Sequence, residues 1–507
     1  MKSAKLMCNA VMVLSATLAL PIQSAAQHTR YKLIDLGTFG GPASSFNGGS
    51  LMLNNRGFGV GAAETPKPDP ANANGFPCGP GSFIYHGFEM KNGIPIDLGA
   101  LPPADENCSN AGWINARGEI AGNSETAQID PFLGIKEIRA VLWKKGQLIE
   151  LGTLGGNESA ATAINNRGQV VGLALNTVPD PFSFFFGPTQ TRGFLWQNGV
   201  MLDLGTLGGP DALPFTINDH GQVAGVSYTN STVNPTTGMP TVDPFLWDHG
   251  TMIDLGTLGG TLGGPGNQGN VALNNRGQVI GASNLAGDQV THAFLWQEGV
   301  LTDLGTFGGD NSFPLWINDA GEIVGEADLA GSEITHLHHA FLWRNGVMTD
   351  LGTLGSTSHA EAINSAGQVV GRSRLGDPST TLQHAFLWEH GGPMIDLNNL
   401  IPAHSSLELR DAMFINDRGE IAGLGAPPGC ENPGNPGPPE PCGHAYVLIP
   451  VDHDAEISMT AYKTKPVITV KNPATFKQTP ETPQGISNLR TRLLQRYQIP
   501  GIRIAKD

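Results

Sequence analysis

The sequence predicts an all-β fold, an eight-bladed β-propeller closed on itself, on three observations. A unit made of a DLGTLGG-like run, an IN..GQVVG-like run and an AFLW-like run recurs eight times in fixed order. Each unit reads as four short strands in two hairpins. The chain begins with a DLG strand that has no preceding AFLW partner, and its last AFLW-like run has no following DLG. Pairing those two completes the last blade with the first strand and closes the ring.

Residues 1–26 come first and are read as a leader to be removed. Lys2 and Lys5 precede a short apolar stretch from Leu6 to Leu20, and Ser24-Ala25-Ala26 supplies small residues for cleavage before Gln27. The stretch is short for a span, and no later segment reaches the roughly 20 apolar residues that crossing a bilayer requires. The mature chain is therefore expected to be secreted, extracellular or periplasmic, with no membrane span, and a monomer.

The repeats fill residues 27–450. Their central asparagines, Asn54, Asn115, Asn165, Asn218, Asn274, Asn318, Asn364 and Asn416, stand 44 to 61 residues apart, a blade-like period rather than the short coil of a β-helix. Ala362-Ile363-Asn364, the turn Ser365-Ala366-Gly367 and the run Gln368–Gly371 read as one hairpin. His384–Trp388, Glu389-His390-Gly391 and Pro393–Leu397 read as the second. The runs are four to six residues long and punctuated by Gly and Pro (68 and 37 in the chain), which excludes long helices here.

In an up-and-down blade the first and third turns share one face, and the second turn and the crossover share the other. The first and third turns are short throughout. The second turns are long and unlike one another: 62–82, 123–139, 173–192, 226–243 and 425–443. Variable insertions on a rigid scaffold commonly carry binding, so a ligand site is expected on that face.

Residues 451–507 leave the pattern and read as a basic extension with a short amphipathic helix over 487–497. Of the net −16, residues 27–450 carry 18 Lys and Arg against 40 Asp and Glu, whereas 451–507 carry nine against five. An acidic body disfavours nucleic acid. The four cysteines after the leader favour disulfides in an exported chain, Cys78 with Cys108 and Cys430 with Cys442. No C-x-x-C spacing occurs, and neither a metal nor another cofactor is expected.

The motifs His339–Trp343, Asp303–Gly309 and Ile164–Gly172 resemble those of the HAF-repeat family of extracellular bacterial proteins. The resemblance covers about 31–450 and implies export and a repeat fold. It brings no catalytic residues. The second repeat departs most, with Leu98-Gly99-Ala100-Leu101-Pro102 lacking the double glycine and Val141 replacing Phe.

Much of the chemistry that catches the eye is repeated, and repetition points to scaffold. Trp143, Trp196, Trp247, Trp296, Trp343 and Trp388 recur at one strand position and read as packing between blades. The recurrent acids Asp35, Asp97, Glu150, Asp203, Asp254, Asp303, Asp350 and Asp396 read as backbone acceptors rather than as a cation ring. The repeated Asn reads as a side chain bonding its own turn. His292, His339, His384 and His444 share a strand entrance with Arg139, Arg192 and Asp243 in other repeats. His336-Leu337-His338-His339 is read as an adventitious transition-metal binder, alternate strand residues sharing a face.

What does not repeat remains as candidate ligand-binding residues. Trp113 and Trp316 stand where other repeats carry Ala or Thr, and Phe182, Phe184, Phe185 and Phe186 form an apolar insertion. No HExxH, GxSxG, P-loop or EF-hand signature occurs, so no catalytic residue is assigned. The expected function is non-enzymatic binding of an extracellular carbohydrate or protein. The alternatives are a polysaccharide hydrolase or lyase with a site assembled from several blades, and a purely structural envelope component.

Overall fold

A computed structural model describes residues 29–46, 51–69, 83–184, 188–235, 238–264, 271–332, 337–376, 382–430 and 442–451. They form an all-β, eight-bladed propeller of small antiparallel sheets. Blades 4 and 5 are linked by one parallel bridge, Val242 to Leu262, and otherwise each blade is its own sheet.

Closure follows the expected pairing. Arg30–Asp35 runs antiparallel to His444–Val451, with Leu33 opposite Leu448 and Asp35 opposite Tyr446. It forms the outermost strand of blade 8, whose other strands are Glu408–Ile415 and Ile421–Ala426. The first and last repeats are thus tied by a backbone ladder.

The IN..G asparagines do more than bond their own turns. In blade 2 the Asn115 Oδ1 accepts from the N–H groups of Arg117 and Glu119, each at 3.0 Å. Its Nδ2 donates to Glu119 at 2.8 Å and to the Asn165 carbonyl of blade 3 at 3.0 Å. The same amide-to-carbonyl bond links Asn54 to Asn115, Asn165 to Asn218, Asn218 to Asn274, Asn274 to Asn318, Asn318 to Asn364, Asn364 to Asn416 and Asn416 back to Asn54. All eight are buried, and in seven of the eight blades both protons and both lone pairs of the amide find partners. Only an amide of this length supplies that set, which accounts for the motif.

The glycine ending GQVVG and the Phe of AFLW are one packing unit. Each first strand of blades 2, 3, 4, 6, 7 and 8 carries a register shift just before the IN motif. A Cβ on Gly172 would collide with the Ala160 carbonyl of that strand and stand 2.8 Å from Phe194 Cζ. Gly371 is blocked in the same way by the His359 carbonyl and Phe386. Phe88, Phe194, Phe245, Phe294, Phe341 and Phe386 are all fully buried in this role.

Serines at the start of the first strands join neighbouring blades. Ser159 accepts from the Ala140 N–H at 3.0 Å, Ser312 from Ala293 at 2.9 Å and Ser358 from Ala340 at 2.8 Å. Trp143 lies in a core cluster with Val60 of blade 1, and its Nε1 donates to the Leu98 carbonyl at 3.0 Å. The recurring Trp are accordingly seams between blades.

In blades 1–4 the second strands are longer than the four to six residues the sequence suggests. Gly59–Pro68, Ile120–Ile129 and Val170–Pro179 have 10 residues and Val223–Val233 has 11. After a register shift, the residues read as loops pair with one another and carry the hairpins past the ring. Their outer halves are exposed, so backbone pairing rather than burial holds them, and no apolar alternation marks them in the sequence. Cys430 and Cys442 form a disulfide in the second turn of blade 8. Cys108 is also disulfide-bonded; its expected partner, Cys78, lies outside the described residues. So do residues 1–28 and 452–507. Among the described residues no helix is long and apolar enough to cross a membrane.

Candidate functional site

The strand-entrance residues and the recurrent acids turn out to be partners. Nδ1 of His292 lies 2.9 Å from Asp303, that of His339 2.9 Å from Asp350, and that of His444 2.9 Å from Asp35. His86 does the same with Asp97 in blade 1, and Arg139 and Arg192 stand in with Glu150 and Asp203. Each Asp of these pairs also accepts the N–H two residues on, as Asp303 does from Gly305 at 2.8 Å. The acids lie on the outermost strands and do not face a common centre. Blade 4 breaks the rule: Asp243 faces Asp254, and burial followed by that charge pushes the Asp243 carboxyl up to about 6.

The central channel holds both singled-out tryptophans. A cavity of about 310 Å³ at its IN..G end is lined by the asparagine ring, by the neighbouring Asp219, Asp319 and Asp417, and by Trp113 and Trp316. Trp113 is 1% exposed and packs with Ala121, Ala140 and Leu142. Trp316 meets the edge of Phe414 of blade 8, centroids 5.4 Å apart. These two residues thus lie at the end of the ring opposite the long second turns.

The Phe-rich insertion is on the long-turn face. Phe184 is 2% exposed and stacks on Tyr228 of blade 4 at 4.2 Å, while the Tyr228 hydroxyl donates to the Phe182 carbonyl at 3.0 Å. Phe185 and Phe186 lie outside the described residues. What this face exposes instead is a crest of apolar hairpin tips on consecutive blades: Ile129 and Phe132 (both 54%) on blade 2, Val178 (48%) on blade 3 and Val233 (40%) on blade 4. The tips are fixed by Asx turns, Asp130 accepting from Phe132 and Asp180 from Phe182. Asp-Pro-Phe stands at the tips of blades 2 and 3, at 130–132 and 180–182, but also at 243–245 within a strand, so it does not by itself mark a tip.

Beneath those tips the blades seat buried acids. Asp211 accepts the N–H groups of Phe184 at 2.6 Å and Thr191 at 2.8 Å, and burial, then Asp180, pushes its carboxyl up to about 9. Glu158, which accepts from the Ile138 N–H at 2.5 Å, is also pushed to about 9, chiefly by burial, with Asp130 adding to it. Glu125 reaches about 7 through burial despite Lys136 at 3.2 Å.

A second polar assembly lies between blades 6, 7 and 8. The residue after the second-strand glycine is Ala62, Leu173, Val226, Ala282 or Leu424 in five blades and Asn123 in blade 2, but Glu326 in blade 6 and Arg372 in blade 7. Opposite these, His359 pairs with Arg372 across the blade 7 ladder, and Asp411 pairs with Leu424 in blade 8. Charge therefore fills a layer that is mostly apolar elsewhere. His359 Nδ1 contacts Glu326 Oε2, and its Nε2 lies 2.9 Å from Nε2 of His338. Arg372 contacts Glu361 and lies 3.1 Å from Asp411. Burial opposes charge on Glu326, but His359, then His338 and Arg372, more than offset it and hold the carboxyl below its usual range. Burial pushes Glu361 up to about 7 against the pull of Arg372. Of the His336–His339 run, His339 is committed to Asp350, His336 lies outside the described residues, and only His338 joins this assembly. Glu326, His359, Glu361, Arg372 and Asp411 escape a motif search; the departure of several from the repeat is the signal that finds them.

No protein-family model matches the chain. No curated protein matches it either. Solved structures with a similar fold include the β-propeller domain of the trilobed protease from Pyrococcus furiosus, at 8% identity and TM-score 0.40 over 73% of this chain and 97% of that one. A polysaccharide lyase of family PL25, an ulvan lyase, matches at 10% identity and TM-score 0.32 over 72% and 99%. XC5397 from Xanthomonas campestris, a gluconolactonase, matches at 9% identity and TM-score 0.28 over 66% and 83%. The activities in these names belong to those proteins.

Proposed function

We propose that the protein is an exported, non-enzymatic binding propeller whose long-turn face engages an extracellular partner. The observation that supports this reading is the crest of Ile129, Phe132, Val178 and Val233, exposed together on three consecutive blades. Isolated exposed apolar residues are ordinary, whereas a run of them on projecting, backbone-braced tips suits an interface. A crest of three aliphatic side chains and one phenyl ring favours a protein surface over a carbohydrate, which is commonly met by several flat aromatic faces and polar groups.

The test uses the full chain and a variant carrying Ile129→Asp, Val178→Asp and Val233→Asp, with position 132 kept for the crosslinking residue in both. Photo-crosslinking from position 132 in the producing cell's envelope fraction, alongside a glycan array, is expected to give a defined protein adduct that the variant loses. Array binding that the variant loses would reassign the ligand to carbohydrate. Shortened oligosaccharide products would overturn the non-enzymatic reading. A hydrolase or lyase is favoured by one observation: the carboxyls of Glu361 and Asp411 meet around Arg372 between blades 7 and 8.

A further inference from the structure

We propose that Glu326, His338 and His359 form a binding site for a divalent first-row transition ion that clasps blade 6 to blade 7. Each residue offers one donor atom, and these atoms lie within 4.8 Å of one another. The His338 and His359 Nε2 atoms are 2.9 Å apart, and Glu326 Oε2 is 3.9 Å from His338 Nε2. These two separations bracket the roughly 3.3 Å edge of a tetrahedron built on bonds of about 2.0–2.1 Å, while Glu326 Oε2 touches His359 at Nδ1, so the carboxylate has to turn from that nitrogen to join Nε2 on the ion. Two imidazoles and a carboxylate make a donor set suited to zinc and its neighbours rather than to calcium or magnesium.

Placement and charge agree with this. Glu326 sits on Ile323–Leu329, His338 at the start of His338–Arg344 and His359 on Ser358–Ile363 of the next blade, so rigid strands hold all three. Glu326 is buried, while the side chains of His338 and His359 keep 18% and 13% exposure, which leaves an approach for the ion and for a fourth ligand. Glu326 brings a carboxylate oxygen to two nitrogen donors, and two further carboxyls, Glu361 and Asp411, lie beyond it around Arg372. The site goes beyond the binding role of the crest and does not depend on it.

The experiment strips the full chain with a chelator and titrates it with Zn²⁺ by calorimetry, then with Co²⁺ followed by its visible bands. One ion per chain is expected, with Co²⁺ bands of nitrogen and oxygen coordination and a higher unfolding temperature in Zn²⁺. His338→Ala and His359→Ala should each weaken binding by more than about tenfold, the least that even an outer supporting contact costs. His390→Ala, at an exposed histidine, should leave it unchanged. If either variant fails to fold, the wild-type Co²⁺ spectrum decides alone. Absence of stoichiometric binding or of nitrogen-ligated bands in the wild type, or unchanged affinity in a folded double variant, would overturn the site.

Discussion

Blades 1–4 and blades 5–8 share one repeat but solve different problems with it. In the first half the second strands run 10 to 11 residues and project from the ring; in the second half they run six or seven and stop near it. Some buried acids differ in parallel, although Glu361 of blade 7 is raised and Glu119 of blade 2 is lowered. Glu158 and Asp211 meet backbone N–H groups and other acids, and burial raises them. Glu326 and Asp396 are opposed by burial too, but histidines hold them below their usual range. An acid kept protonated serves as a neutral brace for a projecting hairpin, whereas an acid kept ionised needs cations around it. The repeat thus fixes the frame, and departures from it divide the ring into a projecting half and a charged half.

The largest effect is expected where the charged half loses its cation. Arg372→Met leaves Glu361 and Asp411 near each other without a guanidinium and should cost about 3–5 kcal/mol in denaturant unfolding. Glu158→Gln in the projecting half, replacing a protonated acid by a neutral isostere whose oxygen still accepts the Ile138 N–H, should cost under about 1.5 kcal/mol at neutral pH. If the two substitutions cost the same, the contrast between the halves fails.

An intermediate effect tests what the halves share. Gly172→Ala in blade 3 and Gly371→Ala in blade 7 push a Cβ into the same carbonyl and the same buried Phe, and should each cost about 1–3 kcal/mol. A large difference between them would show that the scaffold itself is unequal.

The pH dependence of unfolding sharpens the comparison further. Glu158 and Asp211 have folded values near 9, above those of the unfolded chain, so the folded state binds more protons between about pH 4.5 and 9. Their contribution is fully present below the unfolded value and is lost as pH rises through 9. The melting temperature should fall from pH 6 to pH 9, and the double variant Glu158→Gln/Asp211→Asn should flatten that fall. The histidine pairs add a loss at lower pH. Burial opposes charge on His86, yet Asp97 raises it; His384 is raised by Asp396 above all. Both contribute below about 6.5 and lose that contribution above their raised values.

The smallest effect on stability belongs to the crest. Val178→Asp should change unfolding by no more than about 0.5 kcal/mol, because the side chain is exposed and its hairpin is held by backbone bonds. A larger loss would make the crest a packing element rather than a free surface.

The ring was legible because its contacts repeat. Eight copies of IN..G, AFLW and DLG announce eight blades, and the unmatched terminal strands announce how they close. The candidate sites were less legible. His338 was visible in a run of histidines, but its partners Glu326 and His359 stand 12 positions before and 21 after it. The tips of blades 2–4 were read as loops because strands held by backbone pairing, with exposed side chains, leave no alternation to detect.

By itself, then, the sequence determined the blade, the count and the closure, since each depends on local turns and on residues required at every copy. Only the tertiary structure decided that the asparagines bond around the whole ring, that the recurrent acids answer the strand-entrance histidines, and that Glu326 meets His338 and His359. Those contacts join residues separated by a strand, a blade or the full chain. Their geometry exists only once neighbouring blades have been set side by side.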